Sequence, residues 1–217
     1  MSIEDLGDCW GTIVGISDLG HHCKFENPRL EFVGAIQKVM ASARLRDASF
    51  ILAAQTAAAE VRKALEDGVA VGDVRLEDLI TTDYRPIDAT DPVQYETNAL
   101  AFYERVLPPI MLKYRESVPA PVYAVASDRN SYLPVHHPEY SLPQRPNDWV
   151  WNDVHSRNRR IMERWQALVA SRNIEPIYQK VFLRHMNNGT IIPIKSFSSP
   201  IFVEGKLWGN FQLGYFY

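Results

Sequence analysis

Residues 177–217 read IYQKVFLRHMNNGTIIPIKSFSSPIFVEGKLWGNFQLGYFY. Asn187-Asn188-Gly189 sits between two apolar runs, and Asn-Gly is the strongest short hairpin signal, because both residues tolerate the positive φ that a tight turn needs. Ile177–Met186 and Thr190–Val203 are therefore expected as paired strands. Glu204-Gly205 then turns the chain into a third strand, Lys206–Tyr217. With a period of two, Leu207, Phe211, Leu213 and Tyr215 share one face of that strand, with Gly209 between them. In the strand before it, Ile191, Pro193, Lys195 and Phe197 share a face. A three-stranded antiparallel meander thus closes the chain.

Working back from the meander, residues 149–169 read as a helix. Before it lies a polar, proline-rich loop ending near Pro146. PVYAVAS (residues 121–127) is a short buried strand, Asp128-Arg129-Asn130 is turn material, and SYLPV (131–135) returns as an edge strand, where Pro134 is tolerated. Upstream the pattern is helical. One helix starts at Pro28, after Asn27, and carries Leu30, Val33, Ile36 and Met40 on a stripe. A second, alanine-rich helix spans Asp47–Glu66 and ends at Gly68. A third runs from Pro92 to Glu116, capped by Asp91 and kinked at Pro108-Pro109. The expected fold class is α+β: a five-stranded antiparallel sheet with helices, preceded by an N-terminal helical segment. The expected division is a helical segment over 1–116, with residues 1–27 as an irregular arm, and a ligand-binding domain over 117–217.

The bulk numbers narrow the function. The 217 residues are 46% hydrophobic, and 23 basic against 26 acidic residues give a net charge of −3. That balance does not favour nucleic acid or an anionic membrane. The two cysteines, Cys9 and Cys23, and the absence of a signal-peptide pattern suggest a cytoplasmic setting. There is no G-x-S-x-G elbow, P-loop or dinucleotide fingerprint. His21, His22, Cys23, His136, His137, His155 and His185 show no metal-ligand spacing. Neither a cofactor nor a metal is expected.

Five segments in order, DYRPIDATDPVQY (83–95), RVLPPI (105–110), SDRNSYLPVHH (127–137), NRRIMERW (158–165) and SSPIFVEGKLWGNFQLGY (198–215), resemble a PAS-like cytoplasmic domain associated with bacterial methyl-accepting chemotaxis proteins. The resemblance covers about residues 45–217. It implies a PAS-like sheet whose helices enclose a small-molecule pocket, and it carries no known catalytic residue. The family has glycine where Ser131 stands and Thr-His-Asn where Val135-His136-His137 stands, so His136 keeps the family position and His137 is new. The chain shows no HAMP segment and no methylated coiled coil. The pocket is thus expected either to act by itself or to signal by touching another protein.

The candidate catalytic residues are His136, Arg157, Lys195 and Tyr132. Histidine titrates near neutral pH. A guanidinium holds a carboxylate or phenolate through paired hydrogen bonds, and Arg157 belongs to the Arg-Asn-Arg-Arg run in which Arg157, Arg160 and Arg164 would share one side of a helix. Lys195, if it faced an apolar hollow, would be a desolvated amine. Tyr123, Arg129, Tyr178, Trp208 and Phe211 are the candidate substrate-binding residues, the aromatics stacking on a flat ligand. Two functions follow. One is a cofactor-independent lyase acting on a small phenolic compound with loss of formaldehyde, similar in outline to the formaldehyde lyases of bacterial lignin-dimer breakdown. The other is a stand-alone sensor or binding protein for a small aromatic molecule, related to chemotaxis. A homodimer through the alanine-rich helix is expected by analogy.

Overall fold

The structure is a computed structural model that describes residues 28–185 and 189–217. The arm over residues 1–27, with both cysteines, and most of the Asn187-Asn188-Gly189 turn lie outside the described residues. Arg44–Tyr217 packs as one unit, distinct from the chain up to Ala43. The boundary expected at 116/117 falls inside this unit, because the helices and the strands share one apolar core.

The two N-terminal helices expected from the pattern are a single helix, α1, Pro28–Ala70. The joining residues Ala41–Arg46 contain no glycine or proline and continue the helix at little cost. Gly68 does not end it. Gly68 lies inside the last turns because a Cβ there would collide with the Phe102 ring. Ala53, Ala54, Ala57 and Ala58 are buried in the chain's own core with Phe50, Val61 and Leu65. Their small size thus brings the helix close to its own domain. A short helix, α2 (Leu76–Leu79), follows, then β1 (Arg85–Pro86) paired with β2 (Tyr95–Glu96). The third expected helix, α3, begins only at Leu100 and ends at Glu116. Asp91 is not its cap; the residues after it enter β2. Pro108 and Pro109 lie within α3 and do not split it. The carbonyls they leave without amide partners belong to Glu104 and Arg105, both exposed residues.

The main sheet has four antiparallel strands: β3 (Pro121–Asp128), β6 (Tyr178–His185), β7 (Ile191–Val203) and β8 (Lys206–Phe216), in the order β3-β8-β7-β6. The meander therefore forms as the hairpin signals require. Glu204 and Gly205 both take positive φ, 49° and 72°, at its second turn. The expected fifth strand does not join. Ser131, at φ 65°, swings the chain away from β3, and β4 (Tyr132–Leu133) pairs with β5 (Arg160–Ile161) in a separate two-stranded ladder. The Asp128 carboxylate fixes that turn by accepting from the Asn130 and Tyr132 amides at 2.8 and 2.9 Å. The amide of Ala124 on β3 donates instead to the His137 ring at 3.4 Å.

The helix expected over 149–169 is broken into α4 (Trp149–His155) and α5 (Trp165–Ser171), with β5 between them. Arg159, at φ 60°, makes a continuous helix impossible. No helix among the described residues is long and apolar enough to cross a membrane.

Candidate functional site

The register divides the sheet into two chemically different faces. Phe197 pairs with Leu213 and Lys195 with Tyr215, while Ala124 and Ala126 pair with Leu213 and Phe211. This face is apolar and packs against α1 and α3: the Phe50 ring lies 4.8 Å from that of Tyr215, and Tyr114 meets Phe211 at 6.0 Å. The opposite face carries Tyr123, Val125 and Ser127 on β3, Asn210, Gln212 and Gly214 on β8, Ser196 and Ser198 on β7, and Lys180, Phe182 and Arg184 on β6. α4, α5 and the β4–β5 ladder cover this second face incompletely and leave a cavity of about 1200 Å³. That is slightly above the ~300–1,000 Å³ usual for ligand sites.

His136, Arg157 and Tyr123 line this cavity. His136 sits on the loop after β4, with its ring edge-on to Tyr140 at 5.0 Å. Its Nδ1 accepts from the His137 amide at 2.8 Å, which places its proton on Nε2. Burial, then the charges of His137, Arg157 and nearby arginines, push its pKa well below the usual histidine range. His136 is therefore a neutral hydrogen-bond donor rather than a ready base. Arg157 donates from Nε to the Asp153 carbonyl at 3.0 Å. Burial, then the charge of Arg184, lowers its pKa to about 10. The Tyr123 ring lies over Gly214, where a Cβ would strike it, and burial raises its hydroxyl to about 12.

The other expected residues lie elsewhere. Lys195 alternates with the cavity residue Ile194 and so points to the helix side, where its ammonium meets Asp47 at 2.6 Å. Tyr132 is buried against Tyr84 and donates to the Tyr95 carbonyl at 2.8 Å. Arg129 reaches the Ile80 carbonyl at 3.3 Å, outside the cavity. Tyr178 opens β6 opposite Ser198 and does not line the cavity. Trp208 and Phe211 belong to the apolar core, with the indole N–H donating to Tyr103 at 2.9 Å. The hollow lies on the polar face of the sheet, and these aromatics fill the apolar one.

Lys195 yields a direct check. Lys195→Met would leave the Asp47 carboxylate with only the Tyr215 hydroxyl, at 2.7 Å. The pair keeps some solvent access, so the expected cost is about 2 kcal/mol, below that of a fully buried pair. Thermal or urea unfolding measures this, and ligand affinity should not change. A folded Lys195→Met protein that no longer binds ligand would place Lys195 in the site after all.

Residues beyond the expected set complete the wall. Lys180 and Arg184 flank Phe182 on one side of β6, an alternation visible in YQKVFLRH. Burial lowers the Lys180 ammonium to about 8, and the amine donates to the Gln166 carbonyl at 3.2 Å. Arg160 and Arg164, expected on one helix side with Arg157, reach the cavity from β5 and the following turn. Arg160 pairs with Asp153 at 3.0 Å through one nitrogen, while its other terminal nitrogen is buried with no partner among the described residues. In all, five basic side chains (Arg157, Arg160, Arg164, Lys180, Arg184) line the cavity against three acidic ones (Asp91, Asp153, Glu163). Among the described residues, no group of three or more His, Cys, Asp or Glu could hold a metal ion. No family model matches the chain, and no curated protein or solved structure matches it.

Proposed function

We propose that the protein binds a small organic anion with an aromatic body in this cavity, as a PAS-like ligand-binding module of the chemoreceptor-associated kind. The observation that carries the reading is the excess of cationic side chains on a partly desolvated wall. Among the described residues, the half-buried Arg184 has no hydrogen bond or ion pair, and Arg157 meets only a backbone carbonyl. Uncompensated buried charge is costly, and an anionic ligand supplies the missing partner. His136 adds a neutral N–H donor beside these cations, while Tyr123, Tyr140 and Phe182 offer ring faces. The PAS-like reading draws support from an antiparallel sheet in which β3 pairs with the last strand, with a cavity between the sheet and its connecting helices.

The test is isothermal titration of the full chain with aromatic carboxylates and with their uncharged amides. Carboxylates should bind, and Arg184→Met should weaken them by roughly 10- to 100-fold, the loss of one charged hydrogen bond. Amides that bind as tightly as the acids would sink the reading.

A catalytic reading draws on one further observation, the Lys180 amine. With its pKa near 8, roughly a tenth of it is the free amine at pH 7, so it can act as the base that the formaldehyde-releasing lyase requires. Arg157 would stabilise the phenolate, and His136 would hydrogen-bond the leaving oxygen at the benzylic carbon. That group leaves with its electron pair, as an anion hydrogen-bonded to His136, and a quinone methide forms. Lys180 then takes the proton of the side-chain hydroxyl, the C–C bond breaks, formaldehyde departs, and the electron pair restores the aromatic ring. Formaldehyde release from phenolic dimers that is lost in Lys180→Met distinguishes this from binding alone.

A further inference from the structure

The anion site accounts for one end of the cavity. A second feature, on β8 and β3, has no role in it. Gln212 is 7% exposed yet lines the cavity. Its amide nitrogen donates inward, to Asn210 Oδ1 at 3.1 Å and Ser127 Oγ at 3.4 Å. Ser127 Oγ also donates to Asn210 Oδ1 at 2.9 Å and meets Ser171 Oγ at 3.1 Å. In this arrangement the Gln212 nitrogen faces the Asn210 oxygen. Gln212 Oε1 is left as an acceptor with no donor among the described residues, on a residue that is more than nine-tenths buried. On the same face of the sheet, Asn210 Nδ2 and Ser198 Oγ are buried with no partner among the described residues. Buried polar atoms are nearly always satisfied, and Gln212, the one of these residues that lines the cavity, is where a ligand can complete the bonding.

The register gives the geometry. Gln212 stands opposite Ser198, which stands opposite Tyr178. Arg184 lies further along β6 from Tyr178 by about 20 Å, at ~3.4 Å per residue. Between the two levels the wall is Tyr123, Phe182 and Ile194. The Arg184 and Gln212 side chains each cover part of this separation, which leaves room for an acid longer than a single ring.

We infer that the ligand is an elongated aromatic acid that also carries a hydroxyl group, its carboxylate held by Arg184 and Arg157 and its hydroxyl donating to Gln212 Oε1. This rests on the anion-binding reading above and adds a second, independent point of recognition. A site built around an unpaired buried acceptor discriminates strongly against an analogue that lacks the donor, because the acceptor then stays unsatisfied.

The probes are two matched acids, para,para′-hydroxybiphenylcarboxylate and biphenylcarboxylate, titrated calorimetrically into the full chain. The hydroxylated acid should bind about tenfold more tightly. In Gln212→Met, a variant of similar side-chain length, the difference should shrink to within about twofold. The plain acid should keep its wild-type affinity there, which shows that the variant is folded. Equal affinity of the two acids for the wild type, both weakened by Arg184→Met, overturns the hydroxyl subsite and leaves the anion site standing. Failure of both acids to bind overturns the anion site and this inference with it.

Discussion

Trp208→Ala is expected to lower the unfolding free energy by about 4 kcal/mol, the cost of removing a large aromatic side chain from a packed core. In a unit of this size that corresponds to a fall in Tm of roughly 10 °C. The indole is 1% exposed and lies between β8 and α3, with its ring centroid 5.7 Å from that of Tyr103. Removing it also takes the N–H donor from the Tyr103 hydroxyl, whose other bond, to the Leu79 carbonyl, is long at 3.4 Å. Because Trp208 is on the helix side of the sheet, the affinity of the remaining folded protein for an aromatic acid should stay within about twofold of wild type. Differential scanning calorimetry paired with titration well below the melting temperature separates the two effects. A stable Trp208→Ala protein that had lost its ligand would return Trp208 to the binding wall.

That test bears on what the sequence made legible. The meander was readable because its evidence is local: two turn signals and apolar runs of strand length. The small-residue helix was readable from propensity. The side of the sheet on which the cavity lies was not. In GNFQLGY the alternation separates Phe211 and Leu213 from Asn210 and Gln212, and an aromatic ligand suggested the apolar set. Yet apolar side chains at such spacing pack against helices, whereas Gln212 and Ser127 are buried polar groups whose purpose appears only once a hollow is seen beside them. The arginines were legible as residue types and misplaced in space. A positive φ at Arg159 broke the expected helix, a tertiary choice with no strong local signal, although Arg157, Arg160 and Arg164 still converge on one cavity. Likewise Ser131 turned SYLPV out of the main sheet.

The turn that Ser131 completes also sets the expected pH dependence. Asp128, at the end of β3, is 6% exposed. Besides the two amides of its turn, its carboxylate accepts from the Tyr84 hydroxyl, and Arg129 is nearby. Burial outweighs these donors and raises its pKa to about 6. The unfolded value is about 3.9, so over the interval between the two the folded protein binds the proton more tightly than the unfolded chain. The stabilisation from this proton is complete below about pH 4 and is lost as pH rises through about 6, up to roughly 2–3 kcal/mol.

Asp128→Asn removes that titration while keeping an oxygen for the Asn130 and Tyr132 amides. His136 and His137, whose pKa values are lowered by burial, act in the opposite sense and favour the fold as pH rises. They are present in both proteins and cancel in the difference. The unfolding free energy of Asp128→Asn minus that of the wild type should therefore grow by about 2–3 kcal/mol between about pH 4 and pH 7, measured by urea denaturation. A difference that stayed flat over this range would mean that Tyr84 and the two turn amides hold the carboxylate ionised throughout, with the balance between burial and hydrogen bonding at Asp128 reversed.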